Sequence, residues 1–240
     1  MSHPRATLDD TLANVRDWFQ GHFDELTAFS AALTSELHLD AHGLLNMTDA
    51  NRRRMKATST AFLAEHPVVD GCGLIFAHSA LGTDNGRLEW WVREEESRFA
   101  RYSFGVVPGA DRYYDYEQHE WFQRAFFEGA RAAVGPYIDY LGVESYVVTI
   151  TVPAEVDGRR VGAVGNDLLV GDLEATLMPI LRACDHEVVI LNRHGNVIVS
   201  NSAAYLPGEL VAQPPEGTNL IVLDPLVDSL RLLHSVARAA

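Results

Sequence analysis

Apolar residues recur in steps of three and four from Leu8 through Leu12, Val15, Phe19, Phe23, Leu26, Phe29 and Leu33 to Leu37. That spacing draws one stripe on an α-helix. Thr7, with Asp10 three positions on, supplies a variant of the capping box. The pattern predicts a helix over Thr7–Leu37, about 45 Å long at 1.5 Å per residue. One side of a small domain needs less, so part of the stripe is expected to pack on something else, such as a second copy of the chain. After His42-Gly43 a second helix is predicted over Asp49–Glu65, with Pro67 ending it.

Beyond Pro67 the period changes to that of strands. Gly71–His78 is a short apolar run, and Asp84-Asn85-Gly86 is a turn signal. Arg87–Arg93 and Phe99–Val107 follow as strands of a hairpin or meander. Gln118–Gly129 reads as helical, and Tyr137–Asp139, Ser145–Pro153 and Arg160–Val170 as strands. Asp157-Gly158 joins the last two, a strong hairpin signal. Asp172–Arg182 reads as a helix, and His186–Leu191 and Asn196–Ser200 flank a turn at His194-Gly195. In the tail, Leu220–Leu223 reads as a strand. Asp224-Pro225 then has the form of an N-cap followed by proline at the first helical position. Leu226, Leu230, Leu233 and Ala237 keep the segment after it amphipathic. The order specifies an α+β protein with a long N-terminal helix and an antiparallel sheet flanked by helices. Three parts are expected: residues 1–48, helical and dimerising; 49–205, the sheet domain; and 206–240, an extension with an amphipathic helix.

Composition narrows the function classes. With 240 residues, 47% hydrophobic and 22% charged, the chain has ordinary globular proportions. Lys+Arg number 19 against 33 Asp+Glu, a formal charge of −14. This speaks against direct contact with a nucleic-acid backbone and against docking on an anionic membrane. No basic n-region precedes an apolar run at the N-terminus, and no window approaches 18 apolar residues, so a soluble cytoplasmic protein is expected. Cys72 and Cys184 are too few for a disulfide framework or a cysteine zinc site, and read as small buried hydrophobes.

Enzyme signatures are missing. There is no P-loop and no Gly-x-Ser-x-Gly elbow, and Gly162-Ala-Val-Gly165 lies inside a strand rather than in a dinucleotide fingerprint. The 10 histidines are scattered, with no zinc-binding pair. A non-enzyme without cofactor or metal is therefore expected.

The informative segment is 113–170. It reads Tyr113-Tyr114-Asp115-Tyr116, then His119-Glu120-Trp121-Phe122, Gly135-Pro136-Tyr137-Ile138-Asp139, Tyr146-Val147-Val148-Thr149-Ile150-Thr151-Val152-Pro153 and Gly162-Ala163-Val164-Gly165-Asn166-Asp167. In order and spacing it resembles the Cache family, the PAS-like sensor domains of bacterial receptors, over about residues 65–205. The family pattern has a Tyr-Asp stretch, a Trp-Tyr pair opening a helix, Pro-Tyr-x-Asp, a Val-Val-Thr-Ile strand ending in proline, and a Gly-x-Val-Gly-x-Asp strand end. The hairpin Val188–Ser200 is similar to the closing strands of such a core. Unlike usual members, the sequence shows no transmembrane helices and no large output module after Ser200. The resemblance thus implies a free-standing sensor whose output passes to a separate partner, such as a transcription regulator or another signalling protein.

In amine- and amino-acid-binding members, an arginine two residues before the tryptophan and a tyrosine directly after it hold the ligand carboxylate. Aromatic rings and an aspartate hold the ammonium. Here His119 stands at the arginine position and Phe122 at the tyrosine position, while Trp121, Tyr137, Asp139 and Asp167 match. The resemblance therefore implies a weakened carboxylate half and a retained ammonium half. Tyr114, Trp121, Phe122, Tyr137 and Tyr146 beside Asp139 and Asp167 suit a small organic cation, because aromatic faces attract cations at about 0.5–2 kcal/mol each. A buried carboxylate also needs a positive partner or takes up a proton. Of Trp90 and Trp91, strand alternation points one inward and one outward. The expected function is a sensor of an amine or an amino-acid-like metabolite. The rivals are an interaction protein with a degenerate pocket, and a hydrolase or lyase using His119 with Asp139 or Asp167.

Overall fold

A computed structural model describes residues 6–102, 105–110, 113–139, 145–223, 228 and 230–235. Helix α1 (Leu8–Thr34) starts at the expected box. The Thr7 hydroxyl accepts from the Asp10 amide, and the Asp10 carboxylate accepts from the Thr7 amide, both at 3.1 Å. Its stripe, Val15, Phe19, Phe23, Leu26, Phe29 and Leu33, is buried within the chain's own core. At the N-terminal end, the Ala6 amide donates to the Ala183 carbonyl at 2.8 Å. Farther along, Ser30 donates to the Pro153 carbonyl at 3.0 Å. The stripe that suggested a second copy packs on the chain's own sheet and helices.

Helix α2 (Asp49–Glu65) carries its own capping box at Thr48 and Asn51. Arg93 secures its other end, donating to the His66 and Val69 carbonyls at 3.2 Å each and also to that of Leu63. Cationic donors are favoured there by the unpaired carbonyls of a helix C-terminus.

Strands β1 (Val69–Phe76), β2 (Arg87–Glu95), β3 (Arg98–Tyr102), β4 (Ala132–Ile138), β5 (Tyr146–Val156) and β6 (Arg159–Leu169) form one sheet in the order β3-β2-β1-β6-β5-β4. Every neighbouring pair is antiparallel. The Asp157-Gly158 turn has φ of +52° and +74°, the doubly positive conformation of a tight two-residue hairpin. Short helix α3 (His78–Leu81) follows β1. A 3-10 turn at Tyr116–Gln118 leads into α4 (Glu120–Phe122), which continues as a π-helical stretch, Gln123–Glu128. The fold is the expected α+β arrangement of a long helix and a flanked antiparallel sheet.

Two expectations are corrected. After α5 (Val170–Ala183), the hairpin of β7 (Val188–Leu191) and β8 (Val197–Ser200) does not close the first sheet. It joins β9 (Thr218–Val222) and β10 (Arg231–Ser235) in a second sheet of order β8-β7-β10-β9. The amphipathic helix expected near Leu230 and Leu233 is therefore a strand at residues 231–235. Leu232 faces the main core, while Leu233 packs with Val189, Leu191 and Val197 in a second small core. Burial on both faces overrides the helical spacing, and β9 and β10 both belong to the second sheet. Asp224, Pro225, Leu226 and Ala237 lie outside the described residues.

Register decides which side chains share a face of the first sheet. Cys72 stands opposite Trp91 and Asn166. Its thiol contacts the Ser59 carbonyl of α2 at 3.6 Å, and Asn166 donates to His22 of α1 at 2.9 Å. This face is covered by helices. Alternation sends Gly71, Gly73, Ile75, Trp90, Thr149, Thr151, Gly165 and Asp167 to the other face. No helix among the described residues is long and apolar enough to cross a membrane.

Candidate functional site

The second face lies beneath the segment holding Tyr114 and Trp121, and between them is a cavity of about 50 Å³. One water needs about 10–15 Å³ by the same measure, so the space suits a small organic group. Its wall changes character along the strands. One row of the ladder places Thr149, Asp167 and Val92 around Gly71; the next places Thr151, Gly165, Trp90 and Tyr102 around Gly73; the third brings Ile75 against Ala163. The cavity is thus acidic at one end and apolar at the other.

Asp167 sits at the acidic end. Its Oδ1 accepts from the Thr149 hydroxyl at 2.6 Å, and Thr149 Oγ1 lies 2.5 Å from the Tyr137 hydroxyl. Thr149 has one hydroxyl proton, which it gives to Asp167, so Tyr137 donates to Thr149. Burial pushes the Asp167 carboxyl up to about 7. The Thr149 bond opposes the rise, and the negative charges of Asp139 and Asp70 add to it. The same surroundings hold the Tyr137 hydroxyl well above its ordinary range, through burial first and the Asp167 charge second. Burial also raises the Tyr114 hydroxyl, as does Asp139, while a hydrogen bond from Trp121 opposes both. The β4 register slips between Val134 and Tyr137 at Gly135-Pro136, a local bulge that sets where Tyr137 leaves the strand. Proline is tolerated there because β4 is an edge strand.

Five expected residues meet in this cavity: Tyr114, Trp121, Tyr137, Asp139 and Asp167. Three do not line it. Phe122 is fully buried against Tyr116 and Phe126, with ring centroids at 5.3 and 5.4 Å, and belongs to the core. Tyr146 points toward the second sheet, its hydroxyl donating to the Pro207 carbonyl at 3.3 Å. His119 stacks behind the wall, 4.4 Å from the Tyr114 ring and 6.1 Å from that of Trp121. Burial lowers its pKa, with Asp115 and Asp139 opposing. Burial thus disfavours its charged form, and its ring lies behind the wall rather than in it.

Sequence reasoning missed Thr149, Thr151, Tyr102, Val92, Ile75, Ala163 and Gly165 as wall residues. A signal was present. Thr149 and Thr151 alternate with buried Val148, Ile150 and Val152, and Gly165 and Asp167 alternate with Val164 and Leu168. Polar or small residues at every second position of an otherwise apolar strand mark a face turned toward something other than core. Trp90 is the inward member of its pair, and Trp91 faces α2.

Among the described lining residues there are two carboxylates, five aromatic rings and no cationic side chain. No group of three or more His, Cys, Asp or Glu among the described residues could hold a metal ion.

Comparison with solved structures places this fold among ligand-binding domains of chemoreceptors, of Cache-like, PAS-like type. The chain is similar to a structure titled methyl-accepting chemotaxis protein X, with a TM-score of 0.63 and 17% identity, covering 95% of each chain. It is similar to the ligand-binding domain of the Pseudomonas fluorescens chemoreceptor CtaA in complex with L-valine, with a TM-score of 0.62 and 16% identity, covering 96% of this chain and 94% of that one. A third is the ligand-binding domain of the Pseudomonas aeruginosa PAO1 amino-acid chemoreceptor PctC in complex with GABA, at TM-score 0.57 and 14% identity, covering 93% and 94%. No family model and no curated protein sequence matches the chain.

Proposed function

We propose that this chain is a small-molecule sensor, acting in the cytoplasm, whose ligand is an organic ammonium ion lacking a carboxylate. One observation carries the reading: a buried cavity whose described wall has Asp139, Asp167 and five aromatic rings but no cation. No cation stands beside Asp167 among the described lining residues, and an ammonium would supply one through a charge-assisted hydrogen bond. The rings Trp90, Tyr102, Tyr114, Trp121 and Tyr137 add cation–π attraction in a poorly solvated space. The similar domains of CtaA and PctC hold L-valine and GABA, which carry both an ammonium and a carboxylate. Here an imidazole behind the wall, its charged form disfavoured by burial, and a phenylalanine in the core stand where the resemblance expects the carboxylate anchors.

Output to a protein partner such as a transcription regulator would run through contacts that join the cavity wall to the second sheet. Glu120, beside Trp121, is 2.7 Å from His194 in the β7–β8 turn. Asn192 of the same turn donates to the Gly135 carbonyl in β4 at 2.7 Å. Arg124, in the π-helical stretch after Trp121, is 2.5 Å from Asp228 in the segment before β10. A ligand that moves Trp121 or Tyr137 therefore pulls on the second sheet.

Calorimetric titration with n-butylammonium, 4-aminobutyrate and butyrate tests the reading on one carbon skeleton. The ammonium ion is expected to bind at least about tenfold more tightly than the amino acid, whose carboxylate would enter the cavity without a cationic partner at a cost of about 1–3 kcal/mol or more, and butyrate is expected not to bind. Tighter binding of either carboxylate overturns the proposal. The second reading, an interaction module with a degenerate pocket, is favoured by the places of His119 and Phe122; it expects all three titrations to be flat.

A further inference from the structure

We propose that Trp90 sets the size of the substituent that the cavity accepts on its ligand. The inference rests on the ammonium reading for the ligand's charged end, but its own basis is the sheet beneath the indole. Trp90 stands directly opposite Gly73, which in turn pairs with Gly165, and Gly71 lies two residues before Gly73 on the same face. A methyl at Gly71 would come within 2.8 Å of the indole Nε1. One at Gly165 would lie 2.9 Å from Thr151 Cγ2 and 3.6 Å from the far edge of the indole, Cη2. One at Gly73 would meet the Glu89 carbonyl at 2.1 Å. Gly71 and Gly165 thus leave room for the indole, whose long axis runs from one to the other, while Gly73 between them is bare because the Glu89 and Trp90 backbone lies against it.

That placement puts the ring between the two ends of the cavity. Its Nε1 edge is over the row of Asp167 and Thr149, and its Cη2 edge is over Gly165, one row nearer Ile75 and Ala163. A ligand with its cation at Asp167 must extend its remaining atoms past this ring to reach the apolar end. Trp90 is 6% exposed and belongs to the main core cluster, so it is held in place and does not yield readily to a longer ligand. No residue of the motif that suggested the fold includes position 90. Trp91, its neighbour, faces the helices and has no access to the ligand.

The test is a calorimetric series of methylammonium, n-butylammonium and n-hexylammonium, run in parallel with acetate, butyrate and hexanoate, on the full chain and on Trp90→Leu. The expected result is that affinity in the unaltered chain falls from n-butylammonium to n-hexylammonium, and that Trp90→Leu raises the hexyl-to-methyl affinity ratio at least tenfold. Trp90→Phe keeps a ring at this position, is expected to move the ratio the same way by a smaller factor, and carries the test should the leucine variant not fold. An unchanged ratio with binding intact overturns the role of Trp90. Should the carboxylates bind and the ammonium ions not, the ammonium reading falls, while a length shift among the carboxylates in Trp90→Leu would still uphold Trp90 as the size limit. Absence of binding by both series in folded protein overturns both.

Discussion

The two faces of the six-stranded sheet are built from the same strands, yet they treat a buried carboxylate in opposite ways. On the helix-covered face, Glu89 is 1% exposed and lies 3.2 Å from Arg101 and 3.7 Å from Arg52. On the cavity face, Asp167 has a threonine hydroxyl and, beyond it, two further carboxylates. Adjacent residues show the same division. Asn166 is fully buried and bonded to His22, whereas Asp167 opens on the cavity; Trp91 fills the space under α2, whereas Trp90 lies across bare glycines. On the helix-covered face the buried carboxylate faces two guanidinium groups. On the other, the described wall sets no cation beside Asp167, and that contrast is what marks this face as the candidate site.

Breaking the packed face should produce the largest effect. Trp91→Ala removes an indole that is 2% exposed from under α2, and truncations of this kind cost about 3–5 kcal/mol. Trp90→Ala, beside an existing cavity, should cost clearly less. Urea unfolding of both variants checks the comparison, and equal losses would mean that the two faces are packed alike.

The next effect has the opposite sign. The folded-state pKa of Asp167 is raised from 3.8 to about 7, so its charged form is disfavoured in the folded chain. Stability is then highest below the unfolded pKa, falls as pH rises from about 4 to about 7, and levels off above. Asp167→Asn removes the charge and keeps an acceptor for Thr149. It should leave stability unchanged near pH 4 and raise it by about 2–4 kcal/mol at pH 8. Denaturant titrations at the two pH values measure this directly. A variant less stable than the parent at pH 8 would show that the carboxylate has a cationic partner.

Most of the fold was legible in the sequence, because the helices and the strands of the first sheet obey the periods and caps that create them. Thr7 and Asp10, the stripe on α1 and the Asp157-Gly158 turn are local signals, and each forms as its chemistry dictates. The second sheet was not legible because its partners are distant in sequence. Arg231–Ser235 pairs with Val188–Leu191 and Thr218–Val222, and nothing near Leu232 and Leu233 reports that both faces will be covered. In the site, Trp121, Tyr137, Asp139 and Asp167 were carried by the resemblance. Phe122 and Tyr146 were misplaced because aromatic character is the same in a core and in a wall, and only the direction of the side chain separates them. Thr149 was overlooked although its alternation with Val148 and Ile150 shows the cavity face.

A smaller effect comes from the coupling of ligand charge to Asp167. An ammonium favours the ionised carboxylate, so amine affinity should rise with pH through the free-protein pKa. With that pKa near 7, the gain from pH 5.5 to pH 8 is about thirtyfold by proton linkage. It ends above pH 8 while the amine itself remains protonated. Calorimetry with n-butylammonium at pH 5.5, 6.5 and 8.0 traces the curve, and Asp167→Asn should flatten it.

The smallest effect sharpens the assignment of that curve. A histidine near the site could produce a slope of the same sign, since a protonated imidazole would repel an ammonium at low pH. His119 is the histidine in question, stacked on Tyr114 and Trp121. Burial lowers its pKa, and the charges of Asp115 and Asp139 oppose that lowering. Its charged form is thus disfavoured, and it is separated from the cavity by the rings it braces. His119→Gln removes the titrating group and keeps a polar side chain of similar reach. It should change amine affinity at pH 8 by less than about threefold, the loss of one aromatic contact being worth about 0.5 kcal/mol, and leave the pH dependence in place. A flattened curve in His119→Gln with the slope retained in Asp167→Asn would transfer the titration to the imidazole. The acidic end of the cavity would then be a structural feature rather than the seat of the ligand's charge.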